Sequence, residues 1–183
     1  MMKGDHYVGG LGRSIVEEFP SSMKLSELYN DYGRPILHHR TWNLSHLDEE
    51  FSPPSCSGEV IIIMPDGDKI AYVARRGRPT DWFFPMGRIG VEESVEEAAI
   101  REAYEETGLS VDILAVPLLY VIDITFKDWD LIRWHFVVIA RPNDHTPRPV
   151  DEEEIEKVAF FKGIPHNSDP FLKGWAEDIL NQV

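Results

Sequence analysis

The chain has 183 residues, room for one domain of ordinary size with a modest appendage. Eighteen Lys and Arg against 32 Asp and Glu give a formal net charge of −14, which repels bare polyanions and argues against nucleic acid as the partner. Hydrophobic residues at 43% and charged residues at 27% exclude wholesale disorder.

The one cysteine, Cys56, excludes an internal disulfide framework and a multi-cysteine zinc centre, and makes a reducing, cytoplasmic setting the expectation. No apolar run approaches the roughly 18 residues of a membrane span. The opening MMKGDHYVGGLGR has no apolar core of signal-peptide type.

In chain order, residues 1–57 carry the weakest signals. Gly9-Gly10-Leu11-Gly12 reads as flexible, and a short helix is expected from Lys24, ended by Gly33 and Pro35. Ser52 to Gly58 reads as a linker. An N-terminal extension packed on the main domain is the expectation, with a dimerisation arm, and hence a homodimer, as the alternative.

From Glu59 the pattern sharpens. Glu59 to Met64 is rich in β-branched residues, Pro65 to Asp68 supplies turn chemistry, and Lys69 to Arg75 returns as a second strand. Trp82-Phe83-Phe84 is a short aromatic strand stopped by Pro85. Ser94 and Glu97 form a capping box, Ala98 to Tyr104 continue a helix, and Gly108 sits where a C-cap glycine belongs. Leu118–Phe126 and Leu131–Arg141 predict a hairpin turning near Lys127-Asp128. Asn143 to Pro149 is a loop and Val158 to Phe161 a strand. Asp169-Pro170 opens a last helix whose Phe171, Trp175 and Ile179 recur at i+4 as a core stripe. Strands and helices in this order predict an α/β fold with a mixed, mainly antiparallel sheet.

The helix at 95–107 carries the chemistry. Glu102, Glu105 and Glu106 stand at i, i+3 and i+4 and share about 100° of arc. Like charges so spaced repel by a few tenths of a kcal/mol, and they cluster at the helix end whose dipole disfavours anions. A divalent cation bound among them would rationalise the arrangement, since hard ions seek several oxygen ligands. A plain solvated acidic face is the competing reading.

The neighbours of these glutamates favour the cation. Gly87, Glu93, Arg101, Glu102, Glu105, Glu106, Gly108 and Leu109 stand as Gly-x5-Glu-x7-Arg-Glu-Ala-Tyr-Glu-Glu-Thr-Gly-Leu. This resembles the signature of the Nudix hydrolases at every fixed position. The resemblance implies an α/β/α sandwich over residues 58–183. It also implies cleavage of a nucleoside diphosphate linked to another moiety, with Mg²⁺ or Mn²⁺ as cofactor. By position, Glu105 and Glu106 would be metal ligands, Glu102 a ligand or the base that deprotonates water, and the Met86 main-chain carbonyl a further ligand. Arg101 would orient a neighbouring carboxylate, and Glu93, Gly87 and Gly108 would hold the motif's shape. The family usually has glycine where this chain has Met86.

For the substrate, Arg75, Arg76, Arg78 and Arg88 make a local basic concentration suited to phosphate oxygens, with Arg76 and Arg88 the main candidates. Trp82 is a candidate to stack on a base, although burial is the favoured reading for each aromatic of Trp82-Phe83-Phe84 taken singly. The stretch from Arg76 to Ile89 is also similar to that of GDP-mannose mannosyl hydrolases, which attack the sugar carbon. The complete set of box glutamates argues instead for attack at a phosphate. Asp151 to Glu154 lies where many members place another acid, making Glu153 and Glu154 candidates to assist catalysis and His145 a weaker one. A small nucleotide is the expected substrate, a nucleotide sugar or ADP-ribose type foremost. A nucleotide sensor without turnover is the rival from another class.

Overall fold

The computed structural model describes residues 14–18, 20, 22–43, 58–126 and 129–183. The expected Gly9–Gly12 stretch, the linker from Ser52 to Ser57 with Cys56, and the hairpin tip Lys127-Asp128 lie outside them. Within them are β1 (Ser14–Glu18), α1 (Ser22–Tyr32), β2 (Ile36–Asn43), β3 (Glu59–Ile63), β4 (Pro65–Asp66), β5 (Lys69–Arg75), β6 (Trp82–Phe83) and β7 (Met86–Arg88). Then follow α2 (Val95–Thr107), β8 (Val111–Thr125), β9 (Trp129–Pro142), β10 (Ile155–Phe161) and α3 (Pro170–Leu180).

The larger sheet runs β2-β8-β9-β3-β7, with β1 also on β9. The β2–β8, β3–β9 and β1–β9 pairings are parallel, while β8–β9 and β3–β7 are antiparallel. A smaller, wholly antiparallel sheet runs β10-β5-β4, with β6 on β5. Over the two sheets together five of these eight pairings are antiparallel, so the strand arrangement is mixed and mainly antiparallel, as expected. Residues 14–43, expected only to pack against the domain, supply two strands and a helix to it.

β3 shows how the layers form. All five of its residues are buried, and Val60 to Ile63 read as an unbroken apolar run rather than an alternation. Val60 and Ile62 join Ala98, Ala99 and Ala103 of α2 in one core. Ile61 and Ile63 join Phe83, Phe84 and α3's Ala176 and Ile179 in the other. The helices thus flank the sheet in an α/β/α arrangement. Of the stripe expected on α3, Trp175 and Ile179 pack on this second core with Leu172, Ala176 and Leu180, whereas Phe171 is 55% exposed.

α2 begins as its sequence dictates. Ser94 Oγ accepts from the Glu97 amide, and the Glu97 carboxylate accepts in return from the Ser94 amide. It ends at Gly108, where φ is 69° and the amide donates to the Tyr104 carbonyl at 2.7 Å. Gly108 is doubly required, since a Cβ there would lie 2.6 Å from the Arg148 carbonyl oxygen. That approach lets the loop after β9 cap the helix. Arg148 N donates to the Thr107 carbonyl, and Val150 N and Asp151 N both donate to that of Glu105.

Candidate active site

β7 lies across the C-terminal half of α2, bringing Met86 and Gly87 against the glutamates. Gly87 has ordinary strand backbone, so its reason is proximity. A Cβ built there would coincide with the Glu102 carboxylate. Met86 donates its amide to Glu106 Oε2 at 2.9 Å. Among the described residues no side-chain-bearing residue has a positive φ, so Met86 sits without strain where the family usually has glycine.

Arg101 organises the acids. Its Nε and Nη2 grip Glu93 at 2.8 and 2.9 Å, and Nη1 bridges Glu102 at 2.6 Å and Glu105 at 2.9 Å. Nη2 also donates to the Arg88 carbonyl at 2.8 Å, tying the strand to the helix. Glu93 in turn accepts from the Gly90 amide, fixing the loop between them. The guanidinium holds the Glu93 carboxyl below the usual carboxylate range, and Glu93 foremost keeps Arg101 charged.

The remaining glutamates are short of positive charge. Glu106 is 3% exposed, and burial pushes its carboxyl up to about 8. Burial also raises Glu102, against the opposing pull of Arg101. Among the described residues no three His, Cys, Asp or Glu side chains form a ready metal-binding group. Arg101 Nη1 lies between Glu102 and Glu105, and Glu106 turns to the Met86 amide. The donor set still fits a hard divalent cation. It is all oxygen, it is gathered on one corner, and two of its carboxylates are raised by burial that an added positive charge would offset.

The acidic loop reaches this corner at Glu154. Asp151 Oδ1 accepts from the Glu153 and Glu154 amides in a tight turn. Arg76 N donates to the Glu154 carbonyl, and Arg76 Nε to that of Glu152 at 2.6 Å. The Glu154 carboxylate lies 3.5 Å from Arg75 Nη2, and its charge acts on both Glu102 and Glu106. Arg76, expected to hold phosphate, is thus committed through Nε to the loop, an arrangement that sequence reasoning missed. For Glu153 the structure shows only its amide in the turn. His145 pairs with Asp66 at 3.1 Å, away from the box.

Arg88 keeps an exposed side chain beside Gly87. Trp82 is 7% exposed and packs edge-on to Phe161 at 4.8 Å, so the structure places it in the core rather than in a cleft. Burial is also the reading that the sequence favours for each of Trp82, Phe83 and Phe84 taken singly.

A family model described as the NUDIX domain matches residues 58–163. Over 103 residues the chain is 30% identical to an m7GpppN-mRNA hydrolase of Caenorhabditis elegans, 56% of this chain and 13% of that protein. It is 28% identical over 120 residues to an RNA pyrophosphohydrolase of Histophilus somni, 62% of this chain and 58% of that one. The chain therefore spans less than two thirds of the length of these curated relatives. The crystal structure of a UDP-X diphosphatase superposes with a TM-score of 0.53 at 20% identity, over 88% of this chain and 70% of that one. Box geometry, matched segment and shared fold agree, and the chain belongs to the Nudix family.

Proposed function

We propose that the protein is a pyrophosphohydrolase that cleaves the diphosphate of a nucleoside diphosphate linked to another moiety, with Mg²⁺ or Mn²⁺. The observation that carries this reading is the approach of Glu106 to Met86 and of Glu102 to Gly87, with Glu105 tied to Glu102 through Arg101 and Glu106 buried without an ion-pair partner. Glu105, Glu106 and the Met86 carbonyl are the groups that would hold the ion. When bound, the ion supplies charge neutralisation at the phosphates and a lowered pKa for attacking water.

The chain's own residues do the rest. Arg101 keeps Glu102 and Glu105 at a fixed spacing, and Glu93 keeps Arg101 in place. Glu102 is a third ligand or the base that accepts the water's proton, a role its raised carboxyl suits. Arg88, exposed beside Gly87, is the residue we assign to phosphate oxygens, and Glu154 adds negative charge beside Glu102 and Glu106. The −14 charge favours a small nucleotide over an RNA end, and a cytoplasmic setting accords with the lone cysteine. Among the described residues no helix is long and apolar enough to cross a membrane.

The test is a screen over nucleotide sugars, ADP-ribose, nucleoside triphosphates and dinucleoside polyphosphates with each metal, read as phosphomonoester products or pyrophosphate through coupled phosphatases that release inorganic phosphate. Turnover that falls in Glu106→Gln and Glu105→Gln at limiting metal is expected. Metal affinity of Glu102→Gln separates ligand from base. Turnover of none of these substrates would refute the proposal. For a nucleotide sugar, ¹⁸O from water is expected in a phosphate product, and label in free sugar would refute attack at phosphorus.

A further inference from the structure

Between β2 and α3 lies a cavity of about 350 Å³, within the roughly 300–1,000 Å³ typical of small-molecule sites. Trp42, Phe171 and Trp175 line it, together with Arg40, Gly174 and Asp178. All six lie outside residues 58–163, the segment that the family shares. The N-terminal strand and the C-terminal helix, remote in sequence, build it together.

The rings form a corner. Trp42 meets Trp175 at 5.0 Å and 87°, and Phe171 at 5.3 Å and 74°. Trp175 is held from behind by Phe83, stacked at 5.1 Å and 26°. Phe171 stays 55% exposed, so this side of the corner is open to solvent. A polar pair stands on the wall. Arg40 Nη2 and the Tyr120 hydroxyl both donate to Asp178 Oδ2, at 2.8 and 3.1 Å. Arg40 and Asp178 keep 40% and 34% of their side chains exposed, leaving a donor and an acceptor within reach of a ligand.

Gly174 is an independent observation. It sits inside α3, where glycine weakens a helix relative to alanine. No crowding explains it, because a Cβ there would meet nothing within 4 Å. Gly174 lines the cavity and is exposed, so a larger side chain at 174 would project into the open space at its rim.

We propose that this cavity binds a nucleobase. Its flat aromatic walls suit a planar heterocycle, its acceptor and donor suit the amino and carbonyl edge of a base, and Gly174 keeps the space open. The choice of a nucleobase among planar heterocycles rests on the nucleotide reading of the box. The base could belong to the substrate or to a second, free nucleoside.

The probe is the set of four neutral nucleosides with the full chain in EDTA, read by tryptophan quenching and by saturation-transfer NMR. Neither phosphate nor metal is present, so the outcome does not depend on hydrolysis. Wild type is expected to bind at least one nucleoside saturably at millimolar concentration. Gly174→Leu should weaken that binding by at least about tenfold while melting no lower than wild type. Phe171→Ala should weaken it too, and Glu106→Gln should leave it unchanged. Absence of saturable binding to wild type, or undiminished binding to a folded Gly174→Leu, would overturn the proposal. Nucleoside binding without hydrolysis of any nucleotide would count against the box reading and leave the cavity standing. A raised KM in Gly174→Leu identifies the base as the substrate's, and an unmoved KM with retained wild-type nucleoside binding identifies a separate nucleoside. Either result supports a base site.

Discussion

Replacing Glu106 with glutamine removes a charge that the fold accommodates poorly. The side chain is 3% exposed, and its carboxyl rises from 4.5 in the unfolded chain to about 8 in the folded one. A raised carboxyl means that the folded state binds the proton more tightly. Its contribution to stability is complete below about pH 4.5 and is lost as pH climbs toward 8. At about 1.4 kcal/mol per unit, the wild type forfeits roughly 3 kcal/mol at pH 7. Glutamine keeps an oxygen for the Met86 amide but buries an NH₂ group, which costs about 1 kcal/mol. The variant should therefore be more stable by about 2 kcal/mol at pH 7 in EDTA, or roughly 4–8 °C in Tm for a domain this size. The gap should close near pH 5 and widen at pH 8.5. Adding Mg²⁺ should raise the wild-type Tm more than that of the variant. Thermal melts across this pH range provide the measurement. A gap that does not change with pH would refute the burial argument, whatever its size.

Gly87→Ala should lower stability by only about 1 kcal/mol or less, because its Cβ meets the far end of the flexible Glu102 side chain, which can swing aside. Turnover should fall because Glu102 leaves its place, and a single variant with wild-type turnover would contradict the predicted displacement. Arg101→Lys replaces a fork with a point charge and releases at least two of its carboxylates. Since the guanidinium is 37% exposed, the expected loss in urea unfolding is only about 1–2 kcal/mol. Ser94→Ala should lower stability by about 1 kcal/mol, and adding Glu97→Ala should cost less than its own separate effect, because the two side chains cap reciprocally.

Local chemistry made α2 legible before the structure. Ser94, Glu97 and Gly108 each act on backbone within a few residues, so the helix has the ends its sequence predicts. The acidic corner was equally readable, because a helical repeat places Glu102, Glu105 and Glu106 without outside help. β2 was not. Its residues Ile36 and Leu37 are exposed on a sheet edge, and its pairing with β8 is set by distant chain. β8 starts at Val111 rather than Leu118, hidden by Pro117 and by the register shifts between Ile113 and Leu118. The commitment of Arg76 to the acidic loop depends on where a remote turn comes to rest, and no spacing encodes that.

The edge of β9 shared by β1 and β3 has a consequence for how the chain is made. Ser14 waits for Trp129, Ile36 for Leu118 and Glu59 for His135, each a partner far downstream. During synthesis β1 and β2 emerge with nothing to pair, and β3, which can meet β7 earlier, keeps its other edge open until β9 leaves the ribosome. Such late, non-local closure makes for slow folding and prolonged risk of aggregation. Expression yield, more than the stability of the finished fold, should therefore respond to translation speed between β3 and β9.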